Sequence, residues 1–129
     1  MPGDHDGCVT QERQRWGAIG EALAAAFLEA RGHVVVARNY RCPRGEIDLV
    51  TRDGRVLVFC EVRTRRSAVA GPALESVTRL KQVRILRVAR HYLAEHPGRA
   101  MTLRFDVVGI DMRGPTVRVA HVVDAFRAD

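Results

Sequence analysis

The sequence has little of what marks several common protein classes. Its three cysteines, Cys8, Cys42 and Cys60, form no Cys-x-x-Cys pair, and its five histidines follow no metal-binding spacing. A disulfide framework and a structural zinc site are therefore not expected. No apolar run approaches the ~18–20 residues that span a bilayer, and residues 1–10 carry acids and glycine where a signal peptide has an apolar stretch. These absences predict a soluble cytoplasmic protein with no membrane partner.

Lysine is nearly missing as well, since Lys81 is the only lysine among 21 Lys and Arg residues. Basic residues nevertheless exceed the 15 acidic ones, which gives a net charge of +6 and a pI near 10.2. This excess favours an anionic partner, of which nucleic acid is the commonest. With 129 residues, 47% of them hydrophobic, the chain is long enough for one domain. We expect residues 1–10 to form a mobile tail and residues 11–129 to form a single domain.

Hydrophobic periodicity predicts helices and strands in the order α-β-β-β-α-β-β. The helices are expected at 11–31 and 75–95, and the strands at 33–39, 46–52, 55–64, 102–111 and 116–123. Residues 40–45 are expected to form a loop. The stripe of the first helix expected to face the core consists of Trp16, Ile19, Leu23, Ala26, Phe27 and Ala30. This order favours an α/β fold in which helices flank a central mixed sheet.

The strongest local signal is a β-hairpin. Asp53-Gly54 separates two β-rich runs and is a preferred two-residue type I′ turn. With that turn, Asp48 lies diagonally to Glu61 on one face of the hairpin, which also carries Glu46. The opposite face is wholly apolar and is expected to be core.

Three carboxylates on one hairpin face allow two interpretations. The face can simply be solvated, at a cost of about 0.2–1 kcal/mol for each pair of like charges across the strands. Alternatively, the apolar neighbours Val50, Leu57 and Phe59 place the acids in a partly buried cleft. Clustered carboxylates in a cleft are best stabilised by a hard divalent cation, so Mg²⁺ or Mn²⁺ is the expected cofactor.

Several segments together resemble the YraN family of small bacterial proteins, which are similar to Holliday-junction resolvases and other nucleases of the restriction-endonuclease-like fold. They are Gly20-Glu21, Arg38-Asn39-Tyr40-Arg41, Gly45 to Val50, Val58 to Arg65, Lys81, Arg104-Phe105-Asp106 and Asp124-Ala125-Phe126. Asp48 and Glu61-Val62-Arg63 are similar to the D…(D/E)-x-K layout of such nucleases, with arginine at the lysine position.

The resemblance implies a restriction-endonuclease-like fold and a metal-dependent endonuclease that hydrolyses structured or branched DNA. It implies metal ligation by Asp48 and Glu61, with Glu21 as a further acid, and a homodimer is possible because related resolvases cut two strands. Arg63 is a further catalytic candidate. It cannot act as a general base, because a guanidinium stays protonated, but it can hold the phosphate or stabilise charge in the transition state. A non-catalytic nucleic-acid-binding or interaction protein on the same scaffold is the alternative.

Three further positions keep two interpretations each. Glu21 lies among Gly17 and Gly20, which suggest close approach of another backbone or a ligand, but it can also be an ordinary solvated glutamate. Lys81 falls inside the apolar arc of the second helix, where it either extends its ammonium group to solvent or supplies the positive charge missing at Arg63. Glu46 is either a ligand of a second metal or a support of the first, or else a solvated glutamate beside Arg44.

Arginines near the cleft strands are candidates for sequence-independent phosphate contacts, unless they are merely solvated. These predicted nucleic-acid-binding residues are Arg41, Arg44, Arg65, Arg66 and, on the second helix, Arg84. Asp106 is expected to have a structural hydrogen-bonding role.

Overall fold

The computed structural model describes residues 2–66, 77–97 and 102–128, and for residues 2–10 and 13 it describes the backbone alone. The elements are α1 (Pro2–Ala30), β1 (Val34–Cys42), β2 (Gly45–Asp53), β3 (Val56–Arg65), α2 (Arg79–Glu95), β4 (Thr102–Asp111) and β5 (Arg118–Phe126). This is the predicted order, and it confirms the α/β class.

The five strands within the described residues form one sheet in the order β1-β2-β3-β4-β5. β3 and β4 are parallel, and the other neighbouring pairs are antiparallel, so the sheet is mixed as predicted. α2 lies in the crossover between the two parallel strands, which is where such a connection needs a helix. The architecture is that expected of a restriction-endonuclease-like domain.

The helices cover opposite faces of the sheet. Leu57 and Phe59 pack in one cluster with residues of α2, whereas Leu49 and Cys60 pack in a second cluster with residues of α1. Because successive strand residues point to opposite faces, the β2–β3 hairpin is buried on both sides. The prediction of one core face was therefore too narrow, and the acids of this hairpin lie at the end of a covered sheet.

α1 packs only in part through the predicted stripe. Phe27 of that stripe packs against the sheet, but Ile19 and Leu23 are more than one third exposed, while Ala24, Ala25 and Leu28 are fully buried. The two alanines let the helix approach the sheet closely. A Cβ added to Gly20 would lie 2.0 Å from Oγ1 of Thr64 in β3, so the close approach suggested by the glycines is confirmed there.

Some boundaries differ from the predictions. The helical backbone of α1 begins at Pro2 rather than at Gln11, so it includes most of the segment expected to be a tail, whose mobility stays a prediction. β1 continues to Cys42, and only Pro43 and Arg44 form the turn to β2, because the two strands remain paired up to Cys42 and Gly45. The loop predicted at residues 40–45 was therefore wrong. The predicted start of the second helix, at residue 75, lies outside the described residues.

The hairpin turn is formed by Gly54 and Arg55, not by Asp53 and Gly54. Asp53 pairs with Val56, and Gly54 has a φ of 61°. Positive φ at the first turn position alone is the pattern of a type II′ turn, in which glycine takes that position. The predicted type I′ turn was wrong, and the register moves by two residues relative to the prediction. A shift of two preserves which side chains share a face.

α2 follows the prediction closely. Ile85, Val88, Ala89 and Tyr92 are buried, and the arginines on the opposite arc are exposed. Thr78 caps the helix, since its side chain accepts a hydrogen bond from the N–H of Lys81. None of the helices in the described residues combines the length and the hydrophobicity that crossing a membrane requires.

Candidate functional site

Asp48 and Glu61 meet where the pairing of β2 and β3 stops. The last paired residues are Leu49 and Cys60, and one step further Asp48 lies opposite Glu61. Oδ2 of Asp48 accepts a hydrogen bond of 2.8 Å from the backbone N–H of Val62. The carboxylate thus replaces the carbonyl that would continue the ladder. The two acids predicted to be diagonal neighbours are direct neighbours.

β2 is irregular at Asp48. Ile47 packs in the cluster of α2, but Leu49 packs in that of α1, although strict alternation would place both on one face. Asn39, which lies opposite Asp48 in β1, has a φ of 50°, a left-handed conformation that asparagine tolerates better than most residues. The Asp48 carboxyl group, at this irregularity, lies close enough to Glu21 in α1 to raise the pKa of Glu21.

Glu21 completes a group of three acids, which we call the acidic site: Glu21, Asp48 and Glu61. The Glu21 carboxyl group lies near Asp48 and the side chain of Asn39, since both shift its pKa. Gly20, the preceding residue, is in contact with Thr64, so the helix is held against β3 at this level. Asn39 was quoted in a family segment, but no role was predicted for it, because its contribution depends on strand pairing that the sequence does not display.

Burial and proximity raise the pKa values of the acids. Burial, followed by the hydrogen bond and charge of Glu61, raises the pKa of Asp48 to about 8, although the N–H of Val62 acts in the opposite direction. Burial, followed by the charge of Asp48, also raises the pKa of Glu21, which the Asn39 side chain lowers in part. Such shifts are typical of sites where ionised groups are held together for a function.

The donor chemistry of the acidic site fits a hard divalent cation. All its side-chain donors are carboxylate oxygens, which Mg²⁺ and Mn²⁺ prefer, and a bound cation would remove the repulsion that raises the pKa of Asp48. Among the residues that the structure describes, no group of three or more acidic, histidine or cysteine side chains is spaced as a metal site. The ligand set of Glu21, Asp48 and Glu61 therefore stays a prediction.

Arg63 lies beside the acidic site, and some of its N–H donors make no hydrogen bond. Its Nη2 lies 3.3 Å from Oε2 of Glu61, and its side chain is one quarter exposed. This ion pair lacks the alignment of a hydrogen bond, and both Nε and Nη2 of Arg63 are buried without a hydrogen-bond partner. Buried donors are nearly always paired in folded proteins, so unpaired guanidinium donors indicate a place for an anionic group.

A cavity of about 600 Å³ opens next to these groups. It is lined by Trp16, Gly17, Glu21, Val62, Arg63, Thr64 and Arg66. Glu21 and Arg63 thus face the same space, one with a carboxylate and the other with free donors. We call this space the site cavity.

Comparison with known proteins identifies the family. The sequence profile described as uncharacterised protein family UPF0102 matches residues 20–110. This chain belongs to the UPF0102 family, which is the YraN family. A UPF0102 protein of Beutenbergia cavernae is 51% identical over 107 residues, which are 82% of this chain and 91% of that protein. A UPF0102 protein of Anaeromyxobacter dehalogenans is 46% identical over 127 residues, which are 98% of this chain and 91% of that protein. The family resemblance is confirmed, and the family name states no activity.

The remaining predicted site residues of this UPF0102 member lie at the margin of the acidic site or away from it. Glu46 is exposed and forms an ion pair of 3.0 Å with Arg41, although its charge contributes to the raised pKa of Asp48. Arg44 is exposed in the turn between β1 and β2, and Arg84 is exposed on α2. Their contacts with nucleic acid stay predictions.

Arg65 and Arg66 continue β3 beyond Arg63. Nη2 of Arg65 is buried without a hydrogen-bond partner. Arg66 pairs with Glu12 at 3.0 Å, and its guanidinium group lies 4.3 Å from the ring centre of Trp16. Lys81 lies in the first turn of α2, half-buried, and among the described residues its ammonium group has no hydrogen bond or ion pair. The structure does not bring Lys81 into contact with the acidic site, and its catalytic role stays a prediction.

A second polar cluster was not anticipated from the scattered histidines. Buried Asp106 accepts hydrogen bonds from Arg104 at 2.9 Å and from the N–H of Asp124 at 3.0 Å, and it lies 2.8 Å from Nε2 of His121. The ring of His33 lies 5.9 Å from that of His121. Both carboxylate oxygens of Asp106 are thus engaged in hydrogen bonds within the fold, in agreement with the structural role predicted for it.

Proposed function

We propose that this UPF0102 protein is a Mg²⁺- or Mn²⁺-dependent endonuclease that hydrolyses phosphodiester bonds in structured or branched DNA. The observation that carries the proposal is the meeting of Asp48, Glu61 and Glu21 beside the unpaired donors of Arg63. Acids for a cation and donors for a phosphate are the two requirements of such a site. The net charge of +6 supports a nucleic-acid substrate.

In this proposal the cation is held by Asp48 and Glu61, with Glu21 as a further ligand. When bound, it supplies positive charge at the attacked phosphate and makes water more acidic. The N–H of Val62 orients the Asp48 carboxylate, so that its second oxygen remains free for binding.

Arg63, which lines the site cavity, has a role that follows from its own chemistry. It holds a phosphate oxygen through Nε and Nη2 and stabilises the charge that develops there. It does not accept a proton, because a guanidinium is protonated at any working pH.

The test is a cleavage assay on branched, duplex and single-stranded DNA with Mg²⁺ or Mn²⁺. Asp48→Asn and Glu21→Gln should reduce metal-dependent cleavage, the former by about 10²-fold or more, which is the scale for one electrostatic group of an active site. Glu29→Gln is the matched control for Glu21, since Glu29 is exposed on the same helix. It should cleave like the wild type.

Metal binding gives an independent readout. Titration calorimetry with Mn²⁺ should show binding to the wild type and to Glu29→Gln, but not to Asp48→Asn. Equal binding and cleavage in all variants would contradict the proposed site.

A second candidate is a nucleic-acid-binding protein that does not cleave. Arg63 favours it, because the side chain at the motif lysine position cannot act as a base. DNA binding by the wild type, with no product under any metal condition, would support this candidate over the endonuclease.

A further inference from the structure

We propose that a second cavity, where the end of β3 adjoins β4 and β5, binds a phosphate group of the nucleic-acid backbone. This arginine cavity has a volume of about 400 Å³. The lining residues that matter here are Arg63, Arg65, Gly109, Asp111, Arg118 and Ala120. The source of the phosphate rests on the proposed function, since the cavity adjoins the acidic site at Arg63.

The strand register builds this cavity. Arg63 of β3 pairs with Gly109 of β4, and Gly109 pairs with Ala120 of β5. Gly109 has no side chain and Ala120 has only a methyl group, so Arg63 is the large side chain of this row. The surface of the sheet is therefore open there. Two residues further along each strand, and therefore on the same face, the side chains are large and charged.

That next row carries the charged residues of the cavity. Arg65 pairs with Asp111, and Asp111 pairs with Arg118. The open row is thus bounded by guanidinium groups from both β3 and β5. Arg118 was not predicted to bind nucleic acid, because its position beside Arg65 depends on strands that are distant in sequence.

Several guanidinium nitrogens make no hydrogen bond within the described residues, although Nη2 of Arg63 lies in an ion pair with Glu61. Nη2 of Arg65 and both Nε and Nη2 of Arg63 are buried without a hydrogen-bond partner. The side chain of Arg118 has no hydrogen bond or ion pair within the described part of the chain. A tetrahedral anion offers several acceptor oxygens at once, which suits donors arriving from different strands.

Among the described residues, Asp111 is the one carboxylate that lines the cavity. Its charge is already balanced, because Arg113 binds it at 2.7 and 2.9 Å through two nitrogens. These hydrogen bonds hold its pKa well below the ordinary value, and the charge of Arg65 acts in the same direction. Arg65 and Arg118 therefore remain as uncompensated positive charges facing the cavity.

Arg63 lines both the site cavity and the arginine cavity. In this proposal, a strand whose scissile phosphate lies at the acidic site places a neighbouring phosphate in the arginine cavity. The contact is to the backbone, so it positions the strand without reading its sequence.

The test is the salt dependence of DNA binding, measured by fluorescence anisotropy in EDTA so that no cleavage occurs. Arg118→Gln and Arg65→Gln should each weaken binding and reduce the slope of log K against log salt. The expected reduction is about 0.7 for single strands and about 0.9 for duplex, the contribution of one phosphate. Arg55→Gln is the matched control, because Arg55 is exposed in the turn at the other end of β3. Its slope should equal that of the wild type.

Equal slopes for Arg118→Gln, Arg65→Gln and Arg55→Gln would overturn the proposal. If Arg65→Gln does not fold, Arg118→Gln decides, since Arg118 is exposed and its loss leaves no buried gap. Inorganic phosphate and a mononucleotide are tested separately by thermal shift. Either compound could raise the Tm of the wild type as much as an oligonucleotide does, and lose this effect in Arg118→Gln. That result would identify a free phosphate as the ligand and overturn the backbone assignment.

The two proposals fail separately. A changed slope in Arg118→Gln without cleavage by the wild type would remove the endonuclease and keep the phosphate site. Cleavage that depends on Asp48, with no change of slope in Arg118→Gln, would keep the endonuclease and remove the phosphate site.

Discussion

At the scale of single residues, Asp48 lowers the stability of the folded chain, because its carboxyl group is held in the acidic site. Its carboxyl group is largely buried, faces Glu61 and has a pKa of about 8, compared with an ordinary value of 3.8. A carboxyl group with a raised pKa favours folding only while it is protonated. In the absence of a cation, the unfolding free energy therefore falls as the pH rises from about 4 towards 8.

Asp48→Asn should remove this pH-dependent loss. We expect the metal-free variant to be more stable than the wild type at pH 8, by about 1 kcal/mol or more, because one unit of pKa shift corresponds to about 1.4 kcal/mol. Urea unfolding in EDTA between pH 5 and pH 9 measures the difference. A variant that is no more stable than the wild type at pH 8 would show that the carboxylate is not strained in the fold.

The acids of this site could be predicted from the sequence, but the other groups that make up the site could not. Asp48 and Glu61 could be predicted because strand alternation alone places them on one face of a hairpin. Asn39 could not, since its contribution comes from a left-handed φ and from pairing with a neighbouring strand. The free donors of Arg63 were equally hidden, because they depend on what burial leaves unpaired.

At the scale of elements, the contact between α1 and β3 explains why the large apolar stripe of α1 is only in part its packing face. A glycine at position 20 lets the helix backbone lie against Thr64. A helix that carried a larger side chain there would be displaced from β3. The position of Glu21 therefore follows from a residue that has no side chain.

Gly20→Ala and Gly17→Ala are a matched pair of substitutions that should change the free energy of unfolding in opposite directions. Alanine at position 20 would place its Cβ 2.0 Å from Thr64 Oγ1, so we expect destabilisation of about 1–3 kcal/mol, as for other overpacked sites. Alanine at position 17 meets nothing within 4 Å, so we expect stabilisation of about 0.5–1 kcal/mol from helix propensity. Thermal and urea unfolding of both variants provide the comparison, and a stabilised Gly20→Ala would refute the contact.

Element types and their order could be predicted well, because helix and strand periods are local properties, but the start of α1 and the end of β1 could not. The hairpin register could not be predicted correctly, since two adjacent two-residue turns were available; Gly54 can take a positive φ in either, and the pairing of Asp53 with Val56 distinguishes them. An error of two residues preserves alternation, so the shared faces were correct except at Ile47 and Leu49, which pack on opposite sides of the sheet. The packing face of α1 was predicted only in part, because close approach favoured small residues over large ones.

At the scale of the whole molecule, the cluster around Asp106 ties together elements that are distant in the chain. Burial alone would raise the pKa of Asp106, but the hydrogen bonds from Arg104, the Asp124 N–H and His121 lower it below the ordinary value. His33 is buried close by, hydrogen-bonded to Thr51 at 2.8 Å. Burial lowers the pKa of His33, against the charge of Asp53, which raises it.

His33 should make the stability of the protein depend on pH near neutrality. Because its pKa is lower in the folded than in the unfolded chain, the unfolded chain binds more protons below the ordinary value of 6.5. His33 therefore contributes a loss of stability as the pH falls from about 7 to 5, opposite in sign to the contribution of Asp48. We expect the Tm of His33→Gln, relative to that of the wild type, to rise as the pH falls over this range, measured by circular dichroism. A constant difference in Tm would assign the acid sensitivity to other groups.

This cluster lay beyond sequence reasoning for a physical reason. His33 precedes β1 and His121 lies in β5, at opposite edges of the sheet order, so no spacing along the chain relates them. Helix α1 brings them together, because Arg31 at its end reaches Nδ1 of His121 at 2.9 Å. Long-range hydrogen bonding of this kind appears only once the strands are assembled.

The N–H of Val62 has a use that follows from its bond to Asp48. Its proton points at the carboxylate instead of at a neighbouring strand, so its NMR chemical shift and its exchange with solvent deuterium respond to the charge on that oxygen. One amide signal therefore records cation binding and protonation at the acidic site directly, without a substrate, a label or a turnover assay.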